Sequence, residues 1–373
     1  MPITIPQTDP RASYLEHRGA IDRAIQVALE SGRYILGDEV KRFEQEFAAF
    51  NGARHAVGVG SGTDALVLAL RALDVGPGDT VATVAHTAVA TVAAIELVGA
   101  HPLLLDVDPV DFTLDVAELA DVLKRGARIK AIVPVHLYGH PARIDDLLGF
   151  ARDYGLRVIE DCAQAHGATI GGRTVGTLGD VGCFSFYPTK NLGAFGDGGA
   201  VITNDEALAR RVVELREYGW RERYVSATAG QNSRLDELQA AILRVKLATL
   251  PRDNQRRQAL AAHYDAGLAG TPLATPARRA GVSHVFHQYV VRAERRESLR
   301  AALAAAGIGT AVHYPVPVHR QPAYAGRIAV GPAAMRHTEP LAKQVLSLPM
   351  YPQLPGDAVK QVIAAVHAAG PSR

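Results

Sequence analysis

Between residues 55 and 161 the chain alternates short apolar runs, turn residues and helical patterns, and this rhythm limits the fold more than any other feature. HAVGVGSG reads as a strand that ends in glycines before the helix TDALVLALRAL. VATVAHTAVATVAAIELVGA, HPLLLDVD, AIVPVHLYG and LRVIEDCAQ repeat the sequence of apolar strand, turn and helix. Such alternation predicts an α/β layer built on a largely parallel sheet. GCFSFY and GGAVITND read as two further strands, joined tightly enough to be antiparallel. Upstream, residues 13–31 and 38–50 carry apolar positions at helical spacing around the turn-like GRYILGD. A helical stretch from about Leu235 to Leu250 is expected to end at Pro251. Beyond it lie arginine- and alanine-rich helices around a predicted strand, HVFHQYVVRA. The expected organisation is a large domain over 1–250, with N-terminal helices free to pack on the small domain, and a smaller α+β domain over 251–373.

With 373 residues the chain can bury a deep core. Its 40 basic and 38 acidic side chains leave a net charge of +2, so neither nucleic acid nor a membrane surface is an expected partner. MPITIPQTDPRASY lacks the basic start and apolar run of a secretory signal, and no apolar stretch is long enough to span a bilayer. Cys162 and Cys183 are too few for a disulfide framework and have no zinc-like spacing, so no metal is expected. A cytoplasmic protein with two buried, inert thiols is the expectation.

The segment CFSFYPTKNLGAFGDGGAVITND, Cys183 to Asp205, sets Lys190 between an apolar strand and a glycine-rich return. A lysine at the end of a buried strand is costly unless its ammonium is paired, neutralised or used covalently. The flanking residues favour covalent use, as a Schiff base to an aldehyde cofactor. A solvated loop lysine is the plainer alternative for this residue taken alone. In GVGSGTDALVLAL, Ser61, Gly62, Thr63 and Asp64 lie between a strand and a helix, where free N–H groups and the helix dipole suit a phosphate. Ser61 or Thr63 as a simple helix cap has equal claim, and the lysine of a Walker loop is missing. VIEDCAQAHGA puts Glu160 and Asp161 after a strand, at the edge where α/β folds bind ligands. Asp161 fits a partner for a pyridinium nitrogen, with Glu160 as an outward neighbour. Gln164 suits the phenolic oxygen of such a cofactor, and His166 is as well explained by packing as by catalysis.

SGTDAL, EDCAQAHGA, FSFYPTKNLGAFGDGGAVITND and GQNSRLDELQAAIL occur in an order and spacing similar to the sugar aminotransferases of the DegT/DnrJ/EryC1/StrS family. The likeness runs nearly end to end, from ILGDEVKRFEQEFAAFNG to SLPMYPQL. It implies pyridoxal 5′-phosphate on the aspartate-aminotransferase-like fold type I. It also implies Lys190 as the Schiff-base lysine, Asp161 as the pyridinium partner and Gln164 as a ring contact. Gly62, Thr63 and Ser185 would then bind the phosphate, joined by Asn232 from across a homodimer interface. The chain departs from the family in VAHTAVATV, where Ala88 occupies a position that is often aromatic; His86 is the expected substitute ring against the cofactor.

The resemblance also implies L-glutamate as donor, 2-oxoglutarate as its product, and a nucleotide-linked keto sugar as acceptor. AQAHGA with FYPTKNLGAFGDGG is more similar to members acting at C3 than at C4, so a dTDP-linked 3-keto-6-deoxyhexose is expected. Tyr218 and Arg234, with His313, Tyr314 and His319 of HYPVPVHRQPAY, are the candidate substrate contacts, an arginine fork being suited to diphosphate or carboxylate. Trp220 reads as a packing residue. Other acceptors (a UDP- or GDP-linked keto sugar, or a cyclitol ketone) stay open, as does a non-enzymatic binding or regulatory relative. Lys190 speaks against the related dehydratases, which carry histidine at that place.

Overall fold

The computed structural model describes residues 3–370. Helix α1 (Pro10–Glu30) opens with proline in its first turn, where a missing N–H costs nothing, and Asp9 accepts from the Ala12 N–H. Helix α2 (Asp38–Asn51) has no side-chain cap of its own. The Glu237 carboxylate instead accepts from the N–H groups of Gly37, Glu39 and Val40, satisfying orphan donors and the helix dipole together.

The alternating part follows as β1 (His55–Val59), α3 (Gly62–Ala72), β2 (Thr80–Val84), α4 (Val89–Leu97) and β3 (His101–Leu105). It continues with α5 (Val116–Lys124), β4 (Ala131–Ile132), α6 (Ile144–Tyr154) and β5 (Arg157–Asp161). Short strands β6 (Thr169–Ile170) and β7 (Arg173–Thr174) precede β8 (Val181–Ser185), β9 (Gly199–Thr203) and α7 (Glu206–Arg216). A hairpin of β10 (Trp220–Glu222) and β11 (Val225–Ser226) leads to α8 (Glu237–Leu247) and α9 (Leu250–Gly267). The remainder comprises β12 (Val282–Ser283), β13 (Tyr289–Arg292), α10 (Arg296–Ala305), β14 (Ala329–Val330), α11 (Thr338–Gln344), β15 (Val345–Leu348) and α12 (Gly356–Ala368).

Eight strands form one sheet in the order β1-β9-β8-β5-β4-β2-β3-β14. Every pair from β8 to β14 is parallel, and β9 runs antiparallel to both β1 and β8. Successive residues serve opposite faces, as strand geometry requires: Cys183 and Val201 pack with α3, α4 and α7, while Phe184 and Ile202 pack with α2 and α8. Helices α5 and α6 extend the second face over β2 and β4. Burial on both faces is why these strands read as continuous apolar runs. The fold is α/β with a large, mostly parallel central sheet, as the alternation predicts. Among the described residues no helix is long and apolar enough to cross a membrane.

A second core gathers Leu260 and Tyr264 of α9, β13 and β15, Leu303 of α10 and Val362 of α12. Ile5 joins it and bridges to Ile308, while α1 packs on α8 and its Glu16 carboxylate accepts from Arg252 and Arg256 of α9 and from Gln353. Both the segment before α1 and α1 itself therefore meet residues beyond 250. Pro251 also differs from expectation. The helix ends at Leu247, and Pro251 sits in the first turn of α9, the one helical place where its ring is tolerated. The strand expected over HVFHQYVVRA is ladder only at Tyr289–Arg292. Phe286 has a φ of 45°, its N–H is taken by His284 Nδ1, and its carbonyl by buried Arg257, so this stretch turns before it extends.

Candidate active site

A cavity of about 390 Å³ opens where the carboxyl ends of β1, β2, β5 and β8 converge, the usual ligand edge of a parallel sheet. Gly62, Thr63 and Ser185 line one end. Ser61 Oγ accepts from the Asp64 N–H at 3.1 Å, so Ser61 is the helix cap and the first turn of α3 presents its N–H groups to the cavity. A Cβ on Gly62 would lie 2.5 Å from Ser185 Cβ, so only glycine lets the start of α3 pack this closely against the end of β8 and bring both to one end of the cavity.

Asp161 closes β5 and lines the same cavity. Thr91 Oγ1 donates to its Oδ2 at 2.8 Å and the Ala163 N–H to its Oδ1 at 3.1 Å. Glu160, expected to face outward, is instead fully buried. Its carboxylate accepts from the Gly176, Leu178 and Gly179 N–H groups and from His136 Nε2 at 3.0 Å, which pins the loop before β8. These bonds hold its pKa below the ordinary value against the cost of burial. His136, Glu160 and Cys162 lie close enough together to resemble metal ligands. The geometry speaks for a hydrogen-bond set: His136 Nδ1 accepts from Ala142 N–H, so Nε2 carries the proton and has no lone pair to give. Burial also pushes the Cys162 and Cys183 thiols well up, keeping them protonated.

Lys190 stands in the turn after β8, its N–H donating to Tyr187 O at 2.8 Å. Desolvation pulls its pKa down to about 8, with the Asp161 charge acting in the opposite sense. Around it lie His166, His287 and His313, all kept neutral by burial; His166 is lowered to about 3 and His313 to about 4. Gln164 Oε1 accepts from the Tyr138 N–H at 2.6 Å, and its Nε2 donates to Tyr314 Oη at 3.1 Å. Burial, aided by the Asp161 charge, pushes the Tyr314 phenol up to about 12.

Of the expected residues, Gly62, Thr63, Asp161, Gln164, Ser185, Lys190, His313 and Tyr314 meet in this cavity. His86 does not line it, and Ala88 does. Strand β2 ends at Val84, so alternation does not extend to His86, whose ring donates from Nε2 to Tyr138 Oη at 2.9 Å in the buried layer beneath. His319 also lies outside, with Nε2 3.1 Å from Glu339 Oε1. Asn232, Tyr218 and Arg234 are likewise away from this chain's own cavity. Asn232 is exposed, Tyr218 stacks at 5.1 Å on Trp220, and Arg234 is 3.7 Å from Glu217. Trp220 itself sits between Tyr218 and Tyr224 in the exposed hairpin rather than in a core. Thr91 and His287 are not among the expected residues; a hydroxyl one helical turn past Thr87 is the one local signal for the former, and the latter has none. A second cavity, about 350 Å³ between α10 and α12, brings together no lysine and no carboxylate.

The donor set fits pyridoxal 5′-phosphate: an amine with depressed proton affinity, a buried carboxylate and an anion cradle share one pocket. The chain belongs to the DegT/DnrJ/EryC1/StrS aminotransferase family, which it matches over residues 16–367, and it is a pyridoxal-phosphate-dependent aminotransferase. It is 49% identical over 363 residues to the dTDP-3-amino-3,4,6-trideoxy-alpha-D-glucose transaminase of Streptomyces venezuelae, covering 97% of this chain and 95% of that protein. It is 43% identical over 362 residues to the UDP-N-acetyl-3-dehydro-alpha-D-glucosamine 3-aminotransferase of Acidithiobacillus ferrooxidans, covering 97% of each. The crystal structure of S. venezuelae DesV superposes with a TM-score of 0.95 at 49% identity over the full length of both chains.

Proposed function

We propose that this enzyme moves the amino group of L-glutamate to C3 of a dTDP-linked 3-keto-6-deoxyhexose, releasing 2-oxoglutarate. The observation that carries the reading is the meeting of Lys190, Asp161 and the Gly62–Thr63–Ser185 cradle in one cavity. Both relatives are named for amination at sugar C3, one on dTDP and one on UDP, and the higher identity is to the dTDP protein.

Pyridoxal 5′-phosphate supplies an aldehyde and an electron-accepting ring when bound. The residues do the rest. Gly62, Thr63 and Ser185 would hold the phosphate, and the Asp161 carboxylate, already fixed by Thr91 and Ala163, would pair with the ring nitrogen and favour its protonated form. Lys190 anchors the aldehyde carbon. With its pKa lowered to about 8, roughly a tenth is a neutral amine at pH 7, against well under a thousandth for an ordinary lysine, and that form can take a proton from the substrate carbon and return it. Gln164 and Tyr314 would be the hydrogen-bonding groups for the cofactor ring, and His313, held by Ser347 Oγ at 2.8 Å, would be available to the acceptor.

The working unit is a cytoplasmic homodimer with shared sites. The surface position of Asn232, with Tyr218 and Arg234 nearby, supports this: each can serve the partner's cavity rather than its own. The test is spectroscopic. L-glutamate should bleach the visible band of the purified holoenzyme, and a dTDP-linked 3-keto-6-deoxyhexose should restore it faster than a UDP-linked 3-keto sugar or a cyclitol ketone. Faster return with the UDP sugar would move the assignment to that nucleotide. No band after added pyridoxal phosphate would remove the enzymatic reading.

A further inference from the structure

The loop carrying Lys190 has no ladder of its own between β8 and β9 and is gripped from outside at three points. Lys246 of α8 donates to Gly193 O, and Gln239 Oε1 accepts from the Phe195 N–H at 2.9 Å. The third grip falls on Asn191, directly after the lysine. Its Nδ2 donates to Asn254 Oδ1 of α9 at 2.9 Å and to Val285 O at 3.0 Å. With the amide nitrogen facing two acceptor oxygens, Oδ1 must face His287 Nδ1, 3.3 Å away, which therefore carries the imidazole proton. Asn254 Nδ2 donates onward to His166 O at 2.8 Å. Asn254 and His287 are both buried, and His287 lines the cavity beside Lys190.

We propose that Asn191 is a positioning residue: with Asn254 and His287 it latches the Lys190 loop to the C-terminal part of the chain, so the amine reaches the reacting carbons only while residues 285–288 are docked. The inference rests on the role proposed above for Lys190. A proton carrier displaced by about 1 Å can lose roughly 100-fold in rate, so holding a loop of this kind has kinetic value. The charged and titratable groups around the amine are Asp161, His166, Tyr187, Asp197, His287, His313 and Tyr314, and the latch touches two of them, His166 through its backbone carbonyl and His287 through its ring.

The experiment compares holoenzymes carrying Asn191→Ala, Asn254→Ala and both. Each single change should lower kcat about 10–100-fold with KM for L-glutamate little altered, as expected for lost positioning. The double variant should be no slower than the slower single one, because both break one latch. In the apoprotein, pulse acetylation read by mass spectrometry gives the Lys190 titration midpoint. Asn191→Ala should move it upward as the freed loop reaches water. Should Asn191→Ala fail to fold, Asn254→Ala carries both measurements. Unchanged kcat, effects that multiply in the double variant, or an unmoved midpoint would each overturn the latch. Absence of transamination in the parent protein would overturn the functional reading alone, since the acetylation midpoint still tests the latch.

Discussion

The Thr91 hydroxyl donates to Asp161 Oδ2 at 2.8 Å, across 70 positions of sequence, from the first helical turn after β2. Thr91→Val keeps the branched shape and removes only the donor. A hydrogen bond to a charged group is worth about 1.5–3 kcal/mol, so cofactor affinity should fall roughly 10–100-fold. Equilibrium dialysis of pyridoxal phosphate measures this, and an unchanged Kd would mean that Asp161 does not depend on Thr91.

Lys190 gives a stability signature as well as a catalytic one. Lys190→Met should lose the visible band and transamination while remaining folded. The wild-type apoprotein takes up fewer protons than its unfolded chain between pH 8 and 10.5, because burial lowers the lysine from 10.5 to about 8. Stability from this group therefore rises with pH across that window. Below it the buried ammonium is a full penalty, so Lys190→Met should be more stable than wild type at neutral pH by about 1–3 kcal/mol. Denaturant titration should show that advantage vanishing near pH 10.5. A constant advantage would mean the lysine is not desolvated.

Mixing Asn232→Ala with Lys190→Ala tests the shared site. Hybrid dimers would hold one site with both native residues, so activity should return to about a quarter of wild type under random exchange if each site draws on two chains. No recovery, with exchange proven by mass spectrometry, would place Asn232 outside the chemistry.

His166 is enclosed by Phe184 and Phe186, with ring centroids 5.4 and 5.9 Å away. Neither ring nitrogen makes a well-formed hydrogen bond among the described residues, although the Ser185 backbone is near enough to act on its charge. Its pKa is lowered from 6.5 to about 3, so as pH falls through that window the unfolded chain gains a proton that the folded one refuses. Stability is lost in that direction. His166→Phe should flatten the acid limb of the unfolding curve and raise stability near pH 5. An unaltered acid limb would show that His166 is protonated in the fold.

Residues whose chemistry is local to a strand end were legible in the sequence. Asp161 and Ser185 close apolar strands, Gly62 and Lys190 lie within five residues of a strand end, and the sheet brings those ends together. What was hidden depends on where a strand stops or on a distant partner. His86 was misread because β2 ends two residues earlier than the alternation suggested. Glu160 was misread because its three backbone donors lie 16 to 19 positions away, in a loop whose path no local pattern records. His287 was invisible for a similar reason: its partner Asn191 is 96 positions distant, and the intended strand around it is a turn.

Strand β14 adds to the outer edge of β3 through Ala329 and Val330. Until the ribosome has made residue 330, that edge has no neighbour, and an open edge invites pairing with another chain. The second core is delayed in the same way, since it joins Ile5 to Val366. A nascent chain stalled after α9 thus has one edge of its large sheet open, and its Lys190 loop lacks the contacts of Asn191 to Val285 and His287. The stretch from Val285 to Val330 therefore closes the sheet edge and secures the lysine loop in one passage of synthesis.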